Sequence, residues 1–442
     1  MSGFGLCDRL VRNGASRNLQ GTLVGDEPVP AYDRVNLSSF FSGRSVEDLL
    51  LASRDWYRDH KIELVTGRRI ERIDRGGKQV IDDRNQVYDY DQLVLATGSH
   101  AFVPPIPGAA LEGVFVYRTL NDLESIREYC RVHSVHRGAV IGGGLLGLEA
   151  AKIMTDLGLQ VSVIEMAPGL MPRQLNSEEA VLLRERIEAM GLDIHLVRRT
   201  ESIVRNGETL TLRFGNADDL QVDLLIIAAG VRPNDQLAES AGLELSSRRG
   251  IVIDRSLRTS DASIYAIGEC AAFDDHVFGL AAPCYRMADV LAKRLGGGDD
   301  QFQGADESAE LKLMGVQVAT LGAQIGESPG GVVIKHEDDS GIRKLLIERG
   351  KIVGASCVGP WAELAQVRQA INRQARLWPW QRRRFLRTGS AWSPGGNLPV
   401  HDWPGDAVIC SCLSVSKSTI MQLSGDGKRD VPSIAATCGA ST

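Results

Sequence analysis

The chain has 442 residues, enough at roughly 100–200 per domain for about two to four domains rather than a single core. Its 50 basic and 56 acidic side chains leave a net charge of −6, which argues against a protein built to coat nucleic acid. No run is long, apolar and charge-free enough to span a bilayer, and the eight cysteines are scattered except for one tight pair, so neither a membrane protein nor a disulfide framework is expected and a reduced, cytoplasmic setting fits.

In chain order, strand-like and helix-like segments alternate through most of the first 300 residues, the pattern of α/β domains with parallel sheets. The chain opens on Met1-Ser2-Gly3-Phe4-Gly5, with Asp8 and Arg9 ahead of any apolar run, and enters a helical stretch over Leu6 to Val11; this is no secretory signal. A short apolar run, Leu93 to Ala96, ends in Thr97-Gly98, and a second, Leu224 to Ala229, ends in Gly230. An aspartate precedes each (Asp91, Asp223) and a proline-bearing loop follows each. The two read as an internal echo, the closing strands of two nucleotide-binding domains. Between them, Gly138 to Ile141 predicts a strand, Gly142 to Gly147 a tight turn, the amphipathic run to Leu157 a helix, and Val161 to Ile164 the next strand, ended by Glu165.

Gly142, Gly144 and Gly147 have the GxGxxG spacing. Such glycines permit a tight turn and bring backbone N–H groups close to a pyrophosphate seated on the positive end of the following helix. Glu165 lies eighteen residues past Gly147; a carboxylate there accepts hydrogen bonds from a ribose 2′-hydroxyl and repels a 2′-phosphate, which favours NAD over NADP. The bland alternative is a glycine-rich turn in some other α/β domain. Glu149 is either a structural helix residue or part of the nicotinamide pocket. Further on, Thr259 to Ala271 reads as a loop, a short buried strand, and then Gly268 and Glu269 at the strand's C-terminal end, where ligands bind in open α/β sheets.

After about Gly296 the texture changes. Gly296 to Asp300 looks like a linker, and the segments Val332-Val333-Ile334 and Lys351-Ile352-Val353 predict a small, mostly β domain. From Trp361 to Arg387 the chain is Gln/Arg-rich and helical in pattern, with Arg368, Arg373, Arg376, Arg382, Arg383, Arg384 and Arg387 interleaved with Trp378, Trp380 and Phe385. It reads either as a surface helix whose tryptophans pack on the rest of the protein or as a dock for an acidic redox partner. A Pro/Gly/Ser loop, Ser393 to Pro404, leads to Cys410-Ser411-Cys412, two thiolates able to bind one soft metal or an iron–sulfur cluster.

Ala96-Thr97-Gly98 together with Ile264 to Ala271 resembles the FAD-binding motifs of the two-dinucleotide flavoprotein disulfide-reductase-like superfamily, over roughly residues 1–290. The resemblance implies an α/β fold with two Rossmann-like dinucleotide-binding domains, the FAD domain interrupted by the NAD domain, then a small mostly β third domain and a short cluster-binding-like tail. The expected boundaries are 1–120 and 246–296 for FAD, 121–245 for NAD, 305–360 for the third domain, 361–404 for an Arg/Trp-rich linker and 405–442 for the tail. It implies that Glu269 holds the flavin ribityl chain, that Asp26 or Glu27 meets the adenosine ribose, and that Arg34 and Arg118 lie near the flavin. Matching the family also places Met1 inside its first glycine fingerprint, with Gly3 in what remains of that phosphate cradle; the first strand is expected to lie upstream of this start. The helix start Leu37 to Ser42 has no cysteine, and Cys7 and Cys130 match neither thiol position, so no thiol relay is expected.

Val408 to Ser416 resembles the bacterioferritin-associated ferredoxin-like [2Fe–2S] domain, whose second cysteine pair would fall past Thr442; Cys438 comes several residues early and is expected not to be a ligand. Flavoprotein motifs and cluster domain in this order resemble the reductase portion of NAD(P)H-dependent assimilatory nitrite reductase large subunits and, equally, the electron-transfer subunits of assimilatory nitrate reductases. The resemblance implies NADH, FAD and a [2Fe–2S] centre relaying electrons to a terminal nitrate or nitrite reductase, with no catalytic side chain. A rubredoxin- or ferredoxin-type NADH reductase and a non-catalytic NAD-binding module are the alternatives, and the oligomeric state is left open.

Overall fold

The structure, a computed structural model, describes residues 1–215, 217–313, 315–325, 330–392, 403–405, 407–410, 415–425, 427 and 430–438. It divides into two compact units. One is made of Met1–His100, Val231–Glu307 and Val408–Thr442, the other of Ala101–Gly230 and Ser308–Ala407.

In the first unit the helix Ser2–Arg12 precedes two parallel strand pairs, Gly21–Val24 with Ile62–Val65 and Leu93–Leu95 with Ile264–Ala266. Among the described residues the two pairs are not joined by hydrogen bonds. The strand Ile264–Ala266 is buried on all three residues, as a strand covered on both faces must be, which is why it reads as an unbroken apolar run rather than an alternating one. Leu95, Ile264 and Ala266 share a core with Met287 and Leu291 of the helix Ala281–Leu295 and with Phe302. Fully burying each large apolar side chain of this kind contributes about 1.5–3 kcal/mol. The tail adds a short antiparallel pair, Val408–Cys410 with Val415–Ser416, and the helices Lys417–Gly425 and Val431–Cys438.

The second unit is built on a five-stranded parallel sheet in the order Asp193–His195, Gln160–Ile164, Arg137–Ile141, Leu224–Ile227, Val114–Val116. The chain crosses from Arg137–Ile141 to its neighbour through the helix Leu145–Asp156. Two other helices are started by capping boxes: Thr119 with Asp122, and Asn176 with Glu179. A second sheet is antiparallel and five-stranded: Ala309–Leu313, Val316–Gly322, Lys351–Val358, Gly341–Glu348, Val332–Asp338. Lys344 of this sheet, almost wholly buried, donates to Glu178 Oε2 at 2.7 Å and to Asn176 Oδ1 at 3.1 Å, and Ser356 Oγ donates to the buried Glu179. The capped N-terminus of the helix Ser177–Glu188 is thereby fastened to the small sheet.

The Arg/Trp-rich segment, expected as a linker, is corrected by its packing. Trp361, Leu364, Val367, Leu377, Phe385 and Ala391 belong to one buried cluster with Leu345, Ala355 and Cys357 of the antiparallel sheet. The polar composition hides a few well-spaced anchors, and those suffice to make 361–391 part of the domain. No described helix is long and apolar enough to cross a membrane.

Candidate functional site

In the parallel sheet, Arg137–Ile141 runs out into Gly142 at the C-terminal end of the strand. Gly142 has φ +119°, a conformation that L side chains rarely adopt, and a Cβ there would lie 2.8 Å from the carbonyl carbon of Ala228 in the adjacent strand's exit loop. A Cβ on Gly147 would lie 2.9 Å from the carbonyl carbon of Gly142, so the helix can sit this close to the turn only with glycine there. Gly144 differs: it is the N-cap of Leu145–Asp156, in extended conformation, and a Cβ there would meet nothing within 4 Å. The helix has no side-chain cap and no acidic residue in its first turn. Its first N–H groups therefore have no side-chain cap, and with the positive end of the helix dipole behind them they suit an anion.

Glu165 ends the next strand and closes this site. Its Oε2 accepts from Gly143 N and its Oε1 from Ala167 N, both at 2.7 Å. Gly230, φ +108°, follows the strand Leu224–Ile227 at the same end of the sheet, and its carbonyl accepts from Phe102 N. Arg118, half-buried, follows the parallel strand Val114–Val116 at that end too. Glu149, on the helix one turn in, is half-buried, and burial pushes its carboxyl up to about 7. The second unit thus gathers Gly142, Gly144, Gly147, Glu149, Glu165 and Gly230 at one end of its sheet, a set that fits a pyridine dinucleotide; Arg118, expected near the flavin, leaves the same sheet at that end.

The first unit repeats the scheme. Leu93–Leu95 and Ile264–Ala266 are parallel, so Ala96-Thr97-Gly98 and Gly268-Glu269 leave the same end. Glu269 Oε2 accepts from Ser99 Oγ at 2.7 Å. Gly98 has φ +66° and open space where a Cβ would point, whereas a Cβ on Gly268 would collide with the Ser2 side chain. The start of the helix Ser2–Arg12, which has no side-chain cap, therefore lies against Gly268, with Gly3 packed on Leu23 and Ala96. Glu27, beyond the end of the strand Gly21–Val24, accepts from Tyr32 Oη at 2.7 Å and pairs with Arg34, whose guanidinium lies 4.8 Å from the Tyr32 ring centre. Asp26 is exposed and, among the described residues, forms an ion pair only with Arg69, at 3.6 Å. The uncapped helix start, the open face at Gly98 and the fixed Glu269 carboxylate fit a second dinucleotide, the flavin-bearing one.

Sequence reasoning missed Ser99, Ser2 and Asn234. Asn234 donates to Thr97 O through Nδ2 and to Gly98 O through its backbone N–H, and accepts from Thr97 Oγ1 at its own carbonyl. Ser99 carried a signal, since it directly follows Thr97-Gly98; the partners of Ser2 and Asn234 lie more than a hundred residues away in sequence and left none. Of the expected cluster ligands, Cys412 lies outside the described residues, and Cys410 is described only as the backbone end of the strand Val408–Cys410. The Cys438 thiol donates to Ile434 O of its own helix at 3.2 Å. Among the described residues no group of three or more His, Cys, Asp or Glu side chains is placed to hold a metal.

The profile of the pyridine nucleotide-disulphide oxidoreductases matches residues 3–288. The chain is 42% identical over 421 residues, 94% of its length, to 44% of a nitrite reductase [NAD(P)H] large subunit of Klebsiella oxytoca. It is 36% identical over 403 residues, 90% of its length, to 51% of the assimilatory nitrate reductase electron transfer subunit of Bacillus subtilis. The chain spans about half the length of the curated relatives it matches. Among solved structures it resembles a ferredoxin reductase from Rhodopseudomonas palustris, with a TM-score of 0.77 and 26% identity over 86% of this chain and 94% of that one.

Proposed function

The chain belongs to the pyridine nucleotide-disulphide oxidoreductase family, and from that premise we propose that it is an FAD-dependent NADH:acceptor oxidoreductase serving an assimilatory nitrate or nitrite reductase. The observation that carries the oxidoreductase reading is the uncapped helix start at Gly144, open above and closed at the side by Glu165. The likeness to nitrite reductase large subunits over 94% of the chain supports the choice of terminal acceptor.

When bound, FAD supplies the two-electron to one-electron conversion that links hydride donation by NADH to single-electron acceptors. The residues do the rest. The N–H groups of the Leu145 helix start bind the NADH pyrophosphate, and Gly142 and Gly147 let the backbone approach it. Glu165 accepts from the adenosine ribose hydroxyls. No Lys or Arg side chain pairs with it among the described residues, so its charge opposes a 2′-phosphate. In the first unit Glu269, oriented by Ser99, accepts from the ribityl hydroxyls, and Glu27 with Arg34 flanks the adenosine end. Burial pushes the Glu149 carboxyl up to about 7, so near neutral pH it can hold or release a proton. A [2Fe–2S] centre, with Cys410 and Cys412 among its ligands, would supply a further single-electron carrier.

A visible spectrum of the purified full chain supplied with FAD, followed by anaerobic addition of NADH, tests the reading. Flavin absorbance that NADH bleaches is the expected result. A chain that takes up no flavin, or a bound flavin indifferent to NADH, refutes it. Electron delivery to purified nitrate and nitrite reductases then separates the proposed acceptors from a ferredoxin-type carrier, the second reading, which the likeness to a ferredoxin reductase supports.

A further inference from the structure

We propose that the helix Pro379–Thr388 and the turn before it form a docking surface for an acidic protein electron acceptor; this rests on the reading that electrons leave the chain to a protein. Residues 364–401 contain seven arginines and no Asp or Glu, in a chain whose net charge is −6. The helix is held from beneath by Phe385, fully buried, by Arg384 Nε donating to Trp392 O at 2.9 Å, and by His336 Nδ1 3.2 Å from Leu386 O. This anchoring turns two tryptophans outward. Trp378 and Trp380 are 46% and 64% exposed and stack on each other, ring centres 5.2 Å apart and planes within 8°. The expectation that they pack on the rest of the protein is thereby corrected.

Among the described residues, most of these arginines have no carboxylate partner to explain them. Arg368 pairs with Glu310 at 3.0 Å, but Arg373, Arg376, Arg382, Arg383 and Arg387 are exposed, and none of them pairs with a carboxylate among the described residues. Arg376 lies over the Trp378 ring at 5.4 Å. Arg383 and Arg387 stand four apart on one helix, a like-charge spacing that weakens the helix rather than supporting it. Neither charge nor aromatic exposure thus serves the stability of this domain. Trp and Arg are the side chains that dominate binding energy at protein interfaces, and an unneutralised cationic face speeds encounter with an acidic one. The net acidity of the chain opposes a nucleic acid at the same place.

The test uses the full chain and, as probe, a fluorescently labelled plant-type [2Fe–2S] ferredoxin of strongly acidic surface. Wild-type binding is expected at about 20 mM salt and should weaken by at least ~10-fold at about 300 mM. The reversal R382E/R383E/R387E should weaken binding by at least ~30-fold at the lower salt, and the difference should shrink at the higher. Trp380→Ala should cost ~10-fold at both salts, because its apolar contribution is not screened. Far-ultraviolet circular dichroism checks that the variants are folded. Absence of ferredoxin binding by the wild type, or equal binding by wild type and folded variants, overturns the proposal. So does tighter binding of a duplex DNA through the same arginines, or a salt-sensitive dimer of this chain that the reversal dissociates. NADH-driven reduction of menadione, a neutral quinone that needs no docking, reports separately on the underlying oxidoreductase reading.

Discussion

Two alanine substitutions three residues apart separate the fold of the dinucleotide turn from its ligand. A methyl group on Gly147 would stand 2.9 Å from the Gly142 carbonyl carbon, with the oxygen closer still. Ordinary contact needs about 3.5–4.0 Å, and because the oxygen is the limiting atom the helix Leu145–Asp156 would have to move away from the turn by more than about 1 Å. Overpacking on this scale costs about 1–3 kcal/mol, and the movement spoils the N–H cradle as well. Gly144→Ala is the contrast. Its φ is −81° and nothing lies within 4 Å of the added methyl, so the loss of unfolded-chain entropy should leave stability unchanged or raise it by up to about 1 kcal/mol. The methyl nevertheless fills the space where the helix start would meet a pyrophosphate. Gly144→Ala should therefore weaken NADH by at least ~10-fold, about 1.4 kcal/mol, with an undiminished melting temperature, whereas Gly147→Ala should lose both. Calorimetric unfolding and anaerobic NADH titration read the two quantities independently. Wild-type NADH affinity in a folded Gly144→Ala chain would refute the placement of the pyrophosphate.

Glu165→Arg should exchange coenzyme preference, raising kcat/KM for NADPH relative to NADH by at least ~10-fold, since one charge about 4 Å from a 2′-phosphate is worth about 4 kcal/mol at an effective dielectric of 20; an unchanged ratio in steady-state assays with both coenzymes counts against the ribose contact. Burial raises Glu149 from 4.5 to about 7, so the folded chain favours its protonated form, and the associated stability is fully present below pH 4.5 and lost as pH rises through about 7. Glu149→Gln should match the wild type near pH 4.5 and exceed it at pH 8 by up to about 3 kcal/mol, a ceiling that solvent access at this half-buried site lowers; parallel denaturation profiles across that range would contradict it. Removing Glu178 strands the Lys344 ammonium, only 5% exposed, so Glu178→Ala should cost about 1–3 kcal/mol, and the double change Glu178→Ala with Lys344→Met should recover most of it. Urea midpoints decide, and a single variant as stable as the wild type would show the pair to be idle.

The parts of the fold that were legible in the sequence share one property: their determinants are local. The strand Arg137–Ile141, the turn at Gly142, the helix and the strand ending at Glu165 are contiguous, and each obeys its own period or steric rule. The tail of Leu93–Leu95 and that of Ile264–Ala266 were each readable as strand ends, but that they lie side by side is a matter of topology. What could not be read is what two distant segments do to each other. Ser99 meets Glu269 across 170 residues, and Lys344 meets Glu178 across 166. The segment 361–391 was misjudged for the same reason. Its arginines dominate the composition, while its membership of the domain depends on Trp361, Leu377 and Phe385 finding a sheet whose strands lie earlier in the chain.

The two proposed dinucleotide sites share one plan with different electrostatics, which would keep them from competing for each other's ligand. Both place glycines of positive φ and a carboxylate at the C-terminal ends of parallel strands. In the second unit, among the described residues, Glu165 is held only by two backbone amides and pairs with no cationic side chain. In the first, Glu27 is paired with Arg34 and hydrogen-bonded by Tyr32, so the strand end beside it is close to neutral as a cluster. On the proposed reading, a ligand bearing an extra phosphate on its adenosine would be rejected at Glu165 by charge, while at Glu27 selection would fall to shape. The coenzyme preference of the chain then rests on one side chain, and substitutions around Arg34 should leave that preference alone while altering how tightly the first unit holds its own dinucleotide.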